Sequence, residues 1–132
     1  MPSIVLDTHA SIWYLEKSPR LSATVDAAIQ SAIAAGDPVW ISSVTVVELT
    51  YLVEKGRFPP TLLDQLLQLL RQPSSGFQVA SFDLACATTL RSVSSTIRDM
   101  PDRMIAATAV ALGLALATRD QQLQASGIPV IW

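Results

Sequence analysis

The stretch RDMPDRMIAATAVALGLALATRD, residues 98–120, decides the fold that the sequence predicts. Its first half has a helical pattern over Pro101–Leu112, with proline at the first helical position, where the missing N–H costs nothing. Gly113 ends this helix, and the apolar residues Leu114–Thr118 follow as a buried strand. The stretch therefore predicts a helix joined directly to a strand, with acidic residues near both ends.

The alternation of strands and helices continues in both directions from this stretch. The expected strands are Ser3–Leu6, Val39–Ile41, Phe77–Ala80, Leu114–Thr118 and Pro129–Trp132, and the expected helices are Thr8–Leu15, Ser22–Ala34, Ser43–Lys55, Thr61–Arg71, Asp83–Val93, Pro101–Leu112 and Gln121–Ala125. The strands do not alternate between polar and apolar residues, which favours a parallel sheet covered on both faces. The predicted fold class is α/β.

Length and composition limit the classes of protein that fit. A chain of 132 residues fits one domain, which we place at 1–132. Half of the residues are hydrophobic and only 15% are charged, so we expect a partner to cover part of the apolar surface. The formal net charge is −2, so the chain lacks the overall basic charge of many nucleic-acid-binding proteins. Any attraction to RNA must therefore come from local arginines and bound cations.

The sequence predicts a cytoplasmic protein that does not enter a membrane. Cys86 is the only cysteine, which excludes an internal disulfide and suits a reducing compartment. The segment Met1–Leu6 lacks the basic start of a signal peptide. The apolar run Met104–Thr118 is too short to cross a bilayer core of about 30 Å as a helix.

Four acidic residues fall where the predicted strands end. Asp7 directly follows the first strand, Glu48 lies early in the helix after the second, Asp102 lies in the first turn of the Pro101 helix, and Asp120 follows Leu114–Thr118. Ligands of open α/β sheets bind outside the carboxyl ends of the strands. Two carboxylates at ~4 Å repel by about 4 kcal/mol at an effective dielectric near 20, so such a cluster needs protons or cations. All-oxygen carboxylate sites suit Mg²⁺ or Mn²⁺.

Each acid also has a simpler interpretation. Asp7 can cap the following helix, Asp102 can favour a helix dipole, and Asp120 can be a turn residue. Asp99 is a second candidate ligand, although we favour it as a cap. Glu48 gives the clearest signal, because it interrupts an otherwise apolar helix near its start.

Several other side chains have candidate roles. Arg98, Arg103 and Arg119 flank the acids and are candidate phosphate contacts, while Arg103 could instead pair with Asp102. His9 is expected to cap or pack rather than to act in catalysis. Core packing is expected for Trp13, Trp40, Trp132 and Cys86. The leucine-rich helix 61–71 has too many leucines for one face, so part of it can serve a partner.

The chain resembles the PIN-domain family, and within it the VapC toxins. The resemblance rests on IVLDTHASIW, WISSVTVVEL, the stretch 98–120 and the terminal IPVIW, which occur in the family's order over essentially the whole chain. The stretch 98–120 is the most specific, with its Asp-x-x-Asp-Arg start and its Thr-x-Asp end. His9 fits only a subgroup that carries Asp-Thr-His.

The resemblance implies an α/β/α sandwich and an endoribonuclease that depends on Mg²⁺ or Mn²⁺. By position, Asp7, Glu48, Asp102 and Asp120 match the family's four acids, and Thr118 matches its accompanying hydroxyl residue. Direct metal contact is least certain for Asp120, whose role varies in the family. The resemblance also implies an RNA substrate, a VapB-like antitoxin that restrains the enzyme, and a homodimer.

Two other functions stay open at this stage. A haloacid-dehalogenase-like phosphatase also places an Asp after a strand, but it requires an acid two residues later, where this chain has His9. A PIN-like module that binds RNA or protein without cutting is the second alternative, and the presence of all four acids argues against it.

Overall fold

The sheet has five parallel strands in the order β3-β2-β1-β4-β5. The computed structural model describes residues 3–132. The strands are β1 (Ile4–Leu6), β2 (Val39–Ser42), β3 (Phe77–Ala80), β4 (Ala115–Ala117) and β5 (Val130–Ile131). The helices are α1 (Thr8–Leu15), α2 (Ala23–Ala35), α3 (Ser43–Glu54), α4 (Pro60–Arg71), α5 (Leu84–Thr89), α6 (Met100–Leu112) and α7 (Gln121–Gln124). The predicted α/β class with a parallel central sheet is confirmed.

Strand β1 lies at the centre of the sheet and is buried along its whole length. Its neighbours are in register, with Leu6 opposite Ile41 of β2 and opposite Ala117 of β4. The carboxyl ends of these three strands therefore lie side by side. The residues that follow them, on α1, on α3 and before α7, are brought to one edge of the sheet.

Apolar residues cover both faces of the sheet, as the strand composition predicts. Successive side chains of a strand point to opposite faces, so Leu6 and Val5 belong to different cores. Leu6 packs in a cluster with α1, α2 and α4, whereas Val5 packs in a cluster with α6 and α7. Both side chains are completely buried. The molecule is thus an α/β/α sandwich whose two cores are separated by the sheet.

The largest departure from the predicted elements is in the segment before α6. A single helix was expected over Asp83–Val93, but the α-helix ends at Thr89 and a 3₁₀ turn follows over Leu90–Ser92. The guanidinium of Arg103 donates hydrogen bonds to the carbonyls of Leu90 and Val93, both at 3.2 Å. The Leu90 carbonyl also accepts from the backbone N–H of Val93 at 3.1 Å, so the arginine bonds connect this 3₁₀ turn to α6, which carries Arg103.

Candidate metal centre

Asp7 connects the central strand to its first helix. Its backbone N–H donates to the carbonyl of Ala117 at 3.1 Å, and its Oδ1 accepts from the N–H of Ala10 at 2.8 Å. Asp7 is therefore the N-cap of α1, as one interpretation proposed. The side chain is only 5% exposed. Capping does not exclude a second role, because a carboxylate has more acceptor sites than one cap uses.

Thr8, the residue next to Asp7, is hydrogen-bonded to Glu48. The Thr8 hydroxyl lies 2.5 Å from Glu48 Oε1, to which it donates, and 3.3 Å from the hydroxyl of Thr45. This contact connects α1 to α3 at the edge of the sheet. Thr8 was not singled out in the sequence, although its place in Asp-Thr-His beside the first acid is the signal that could have identified it.

Asp102 lies in the first turn of α6, and Asp99 caps that helix. Asp99 Oδ1 accepts from the backbone N–H of Asp102 at 3.0 Å. The expectation that Asp99 serves as a cap is confirmed. α6 begins one residue earlier than expected, at Met100, so Pro101 occupies its second position.

Asp120 caps α7 by accepting from the N–H of Leu123 at 3.0 Å. The hydroxyl of Thr118, which is completely buried, accepts from the N–H of Asp120 at 3.1 Å. Thr118 thereby fixes the turn that leads from β4 to Asp120. The same hydroxyl interacts with Asp7 and lowers its pKa. Thr118 thus connects the first acid to the last.

One cavity collects three of the four predicted acids. Asp7, Asp102 and Asp120 line an open cavity of about 410 Å³, together with His9, Trp13 and Arg119. Glu48 lines the neighbouring groove between α3 and α6, next to Asp99. The four acids therefore lie near one edge of the sheet, although Glu48 lines a different groove from the other three.

The electrostatics of Asp102 report this convergence directly. Its pKa is raised to about 7, first by burial and then by the charges of Asp99, Glu48, Asp120 and Asp7, in decreasing order. Burial also raises the pKa of Asp7, partly opposed by its hydrogen bonds and by His9. Negative charge is therefore concentrated around Asp102, where a bound cation would relieve it.

The donor set fits a hard divalent cation. Mg²⁺ and Mn²⁺ prefer oxygen ligands, and Mg²⁺ commonly keeps several waters while it binds through one or two carboxylates. Within residues 3–132, no three Asp, Glu, His or Cys side chains form a ready-made chelating group. The carboxylates are thus close enough to raise the pKa of Asp102 without forming a closed cage, which is compatible with a hydrated cation.

The three arginines predicted to contact phosphate have different surroundings. Arg119 is exposed, lines the acidic cavity, and places its guanidinium 5.9 Å from the centre of the Trp13 ring. Arg98 is exposed one residue before the Asp99 cap. The prediction that Arg103 contacts phosphate or pairs with Asp102 is corrected. Its side chain is half-buried, and its guanidinium donates to the carbonyls of Leu90 and Val93. It supports the chain before α6, and within residues 3–132 it forms no ion pair with Asp102.

The remaining predictions concern packing. Cys86 is buried, and the three tryptophans are half-buried against the two cores, with Trp13 and Trp132 on one and Trp40 on the other. His9 packs on Trp13, with ring centres 5.6 Å apart. In α4, Leu62 and Leu66 are fully packed in the core, so part of the leucine-rich helix is core as expected. No helix within residues 3–132 is long and apolar enough to cross a bilayer.

The fold is a parallel α/β/α sandwich with acidic residues gathered near the carboxyl ends of its strands. The chain belongs to the PIN domain family, whose model matches residues 4–127. This membership is incompatible with the haloacid-dehalogenase-like alternative.

Several named proteins are similar to the chain over nearly its whole length. It is 28% identical over 130 residues to Ribonuclease VapC22 of Mycobacterium tuberculosis, covering 98% of this chain and 95% of that one. Among solved structures, VapBC2 of Rickettsia felis bound to a promoter DNA fragment superposes with a TM-score of 0.71 at 17% identity, covering 98% and 97% of the two chains. FitAcB of Neisseria gonorrhoeae gives 0.64 at 27% identity, covering 98% and 96%.

Proposed function

We propose that this protein is a VapC-type endoribonuclease that hydrolyses RNA phosphodiester bonds with the help of Mg²⁺ or Mn²⁺. The observation that carries the proposal is the convergence of Asp7, Glu48, Asp102 and Asp120 on the carboxyl edge of a PIN-domain sheet. The similarity to a protein named as a ribonuclease supports the same activity.

The metal would be held mainly by Asp7 and Asp102, with Glu48 and Asp120 binding directly or through water. When bound, a divalent cation supplies positive charge for the phosphate and lowers the pKa of a bound water. Because the pKa of Asp102 is about 7 without a cation, metal binding must displace a proton there near neutral pH. Metal affinity should therefore increase as the pH rises through this range.

The other residues of the edge position the site and the substrate. The Thr8 hydroxyl fixes Glu48, and the Thr118 hydroxyl fixes the turn that carries Asp120. Arg119 is placed to bind a phosphate oxygen, since it is exposed in the same cavity as three of the acids. Arg98 is a second candidate for a more distant phosphate.

The partners follow from the same proposal. VapBC2 and FitAcB are named as complexes, so a VapB-like antitoxin is the expected inhibitor of this chain. Exposed apolar side chains on α3 and α6, namely Val47, Tyr51 and Met100, are consistent with a covered surface in such a complex or in a homodimer. We expect the protein to act in the cytoplasm, where its RNA substrate is found.

The direct test is the substitution Asp7→Asn. Asparagine can still cap α1, so the fold should be kept while one negative charge is lost. Purified Asp7→Asn protein should lose at least 100-fold in metal-dependent cleavage of single-stranded RNA, on the order expected for removing a main metal ligand. Asp64→Asn, which changes an exposed acid on α4, is the matched control and should cleave like the wild type.

Two outcomes would count against the proposal. Full metal-dependent cleavage by Asp7→Asn would remove Asp7 from the site. If the wild-type protein binds RNA but does not cut it when either Mg²⁺ or Mn²⁺ is present, the PIN-like binding module would be supported instead.

A further inference from the structure

The acidic cavity is bordered by a group of side chains in contact with one another that the proposed chemistry does not require. This aromatic platform consists of His9, Trp13 and Arg119. The His9 and Trp13 rings are 5.6 Å apart at 46°, and Arg119 lies over the Trp13 ring. All three side chains also line the cavity that contains Asp7, Asp102 and Asp120.

Trp13 is held firmly in this position and has open space on a second side. Its ring packs edge-on against Trp132, with ring centres 5.7 Å apart at 61°. Trp13 also lines a second cavity, of about 670 Å³, so the same residue borders both cavities. The second cavity carries groups that donate and accept hydrogen bonds, which are Tyr14, Lys17, Asp26 and Gln30.

These features match the requirements of a nucleotide in a single-stranded chain. A base needs a flat apolar surface on which to stack and polar groups at its edge, and its phosphate needs a cation. The platform supplies the surface, the second cavity supplies the polar groups, and Arg119 lines the same cavity as three of the acids. A protein segment could also contact Trp13, but it would not account for an arginine and a stacking surface beside the same carboxylates.

We propose that Trp13, with His9 and Arg119, is a stacking platform for the nucleobase next to the scissile phosphate, and that the cavity beyond Trp13 receives the edge of that base. This inference rests on the proposed ribonuclease function, because that function places the phosphate at the acids. Trp13 would then determine RNA affinity and the position of the strand, without taking part in bond cleavage.

The test measures RNA affinity separately from cleavage. In protein that carries Asp7→Asn to prevent cleavage, the Kd of a fluorescent single-stranded oligoribonucleotide is measured by anisotropy with Mn²⁺ present. The measurement is repeated with oligonucleotides that lack one base at each position in turn. Only one of these oligonucleotides, the one that lacks the base stacked on Trp13, should bind with a Kd raised about tenfold. The loss of one contact between a base and an aromatic side chain changes affinity by about this factor.

Three tryptophan variants show whether that base contacts Trp13. Trp13→Leu should raise Kd for the complete RNA about tenfold and should show no further loss at the sensitive position, because the two changes remove the same contact. Trp13→Phe keeps a ring and should retain most of the affinity. Trp40→Leu, a half-buried tryptophan packed on the other core, should keep the wild-type pattern. Circular dichroism and thermal unfolding check that each variant is folded.

The outcomes separate this inference from the proposed function. The platform is overturned if folded Trp13→Leu binds RNA with an unchanged Kd. It is also overturned if Trp13→Leu still loses affinity when the base at the sensitive position is removed. A protein segment would then be the better candidate for the surface around Trp13. Cleavage by the wild-type protein decides the ribonuclease activity independently. RNA that does not bind to the Asp7→Asn protein, while the wild-type protein still cleaves it, would overturn the platform alone.

Discussion

At the scale of single residues, acids of this site perform two tasks with one carboxylate. Asp7 and Asp120 each cap a helix and also line the acidic cavity. For Asp7, the sequence interpretations of cap and candidate ligand are therefore compatible, and Asp120, interpreted as a turn residue or a ligand, is also a cap. Helix N-termini favour negative charge, so capping offsets part of the repulsion that gathering carboxylates creates. Asp102 has less compensation, since its own carboxylate caps no helix and four other acids act on it.

The raised pKa of Asp102 predicts a pH-dependent stability. Its pKa is about 7 in the folded protein and near 3.8 in the unfolded chain, so the folded state binds more protons between these values. In EDTA, the free energy of unfolding should therefore fall as pH rises from 4 to 7. Asp102→Asn should be more stable than the wild type at pH 7.5 by about 1–2 kcal/mol, a value reduced for solvent screening. Urea unfolding at pH 4.5 and 7.5 measures the difference, and equal pH dependence in both proteins would contradict it.

At the scale of elements, α3 is held to α1 by a polar contact across the edge of the sheet. Glu48 could be selected from the sequence because it interrupts an apolar helix, and its predicted place after the second strand is correct. The position of Thr8 beside Asp7 could have marked it as a candidate, but its contact with Glu48 could not be predicted, because residues 40 apart meet only through the alignment of β1 and β2. Arg103 was misassigned for a similar reason, since its carbonyl partners belong to a segment that sequence patterns extended as helix.

The contact of Thr8 with Glu48 predicts a positioning role for Thr8. Thr8→Val keeps the branched shape but removes the hydroxyl, so Glu48 loses its donor and can turn away from the other acids. We expect Mn²⁺ affinity and metal-dependent RNA cleavage to fall about tenfold, on the order seen when a group that supports a metal ligand is removed. Thr8→Ser restores the hydroxyl and should recover most of the activity. If Thr8→Ser is as impaired as Thr8→Val, the loss reflects packing and the positioning role is wrong.

At the scale of the whole molecule, the fold is what brings distant acids together. The helix and strand pattern was sufficient to predict a parallel sheet, and the metal site proposed at its carboxyl edge stays a prediction. It was not sufficient to predict the strand order, which places β1 between β2 and β4 and thereby brings Asp7 to the centre. The sequence pattern also did not predict the aromatic platform, because the three tryptophans were expected only to pack in the core.

The most direct test of a shared metal centre is to measure Mn²⁺ binding by titration calorimetry at pH 7.5. The proteins compared are the wild type, Asp102→Asn, Glu48→Gln and Asp64→Asn. The two substituted acids of the site lie on different helices, α6 and α3. If they share one cation, each should weaken the same binding event by about tenfold or more, as for other residues that support a metal, and Asp64→Asn should bind like the wild type. Wild-type protein that binds no Mn²⁺, or an affinity unchanged by both site substitutions, would contradict a shared metal centre.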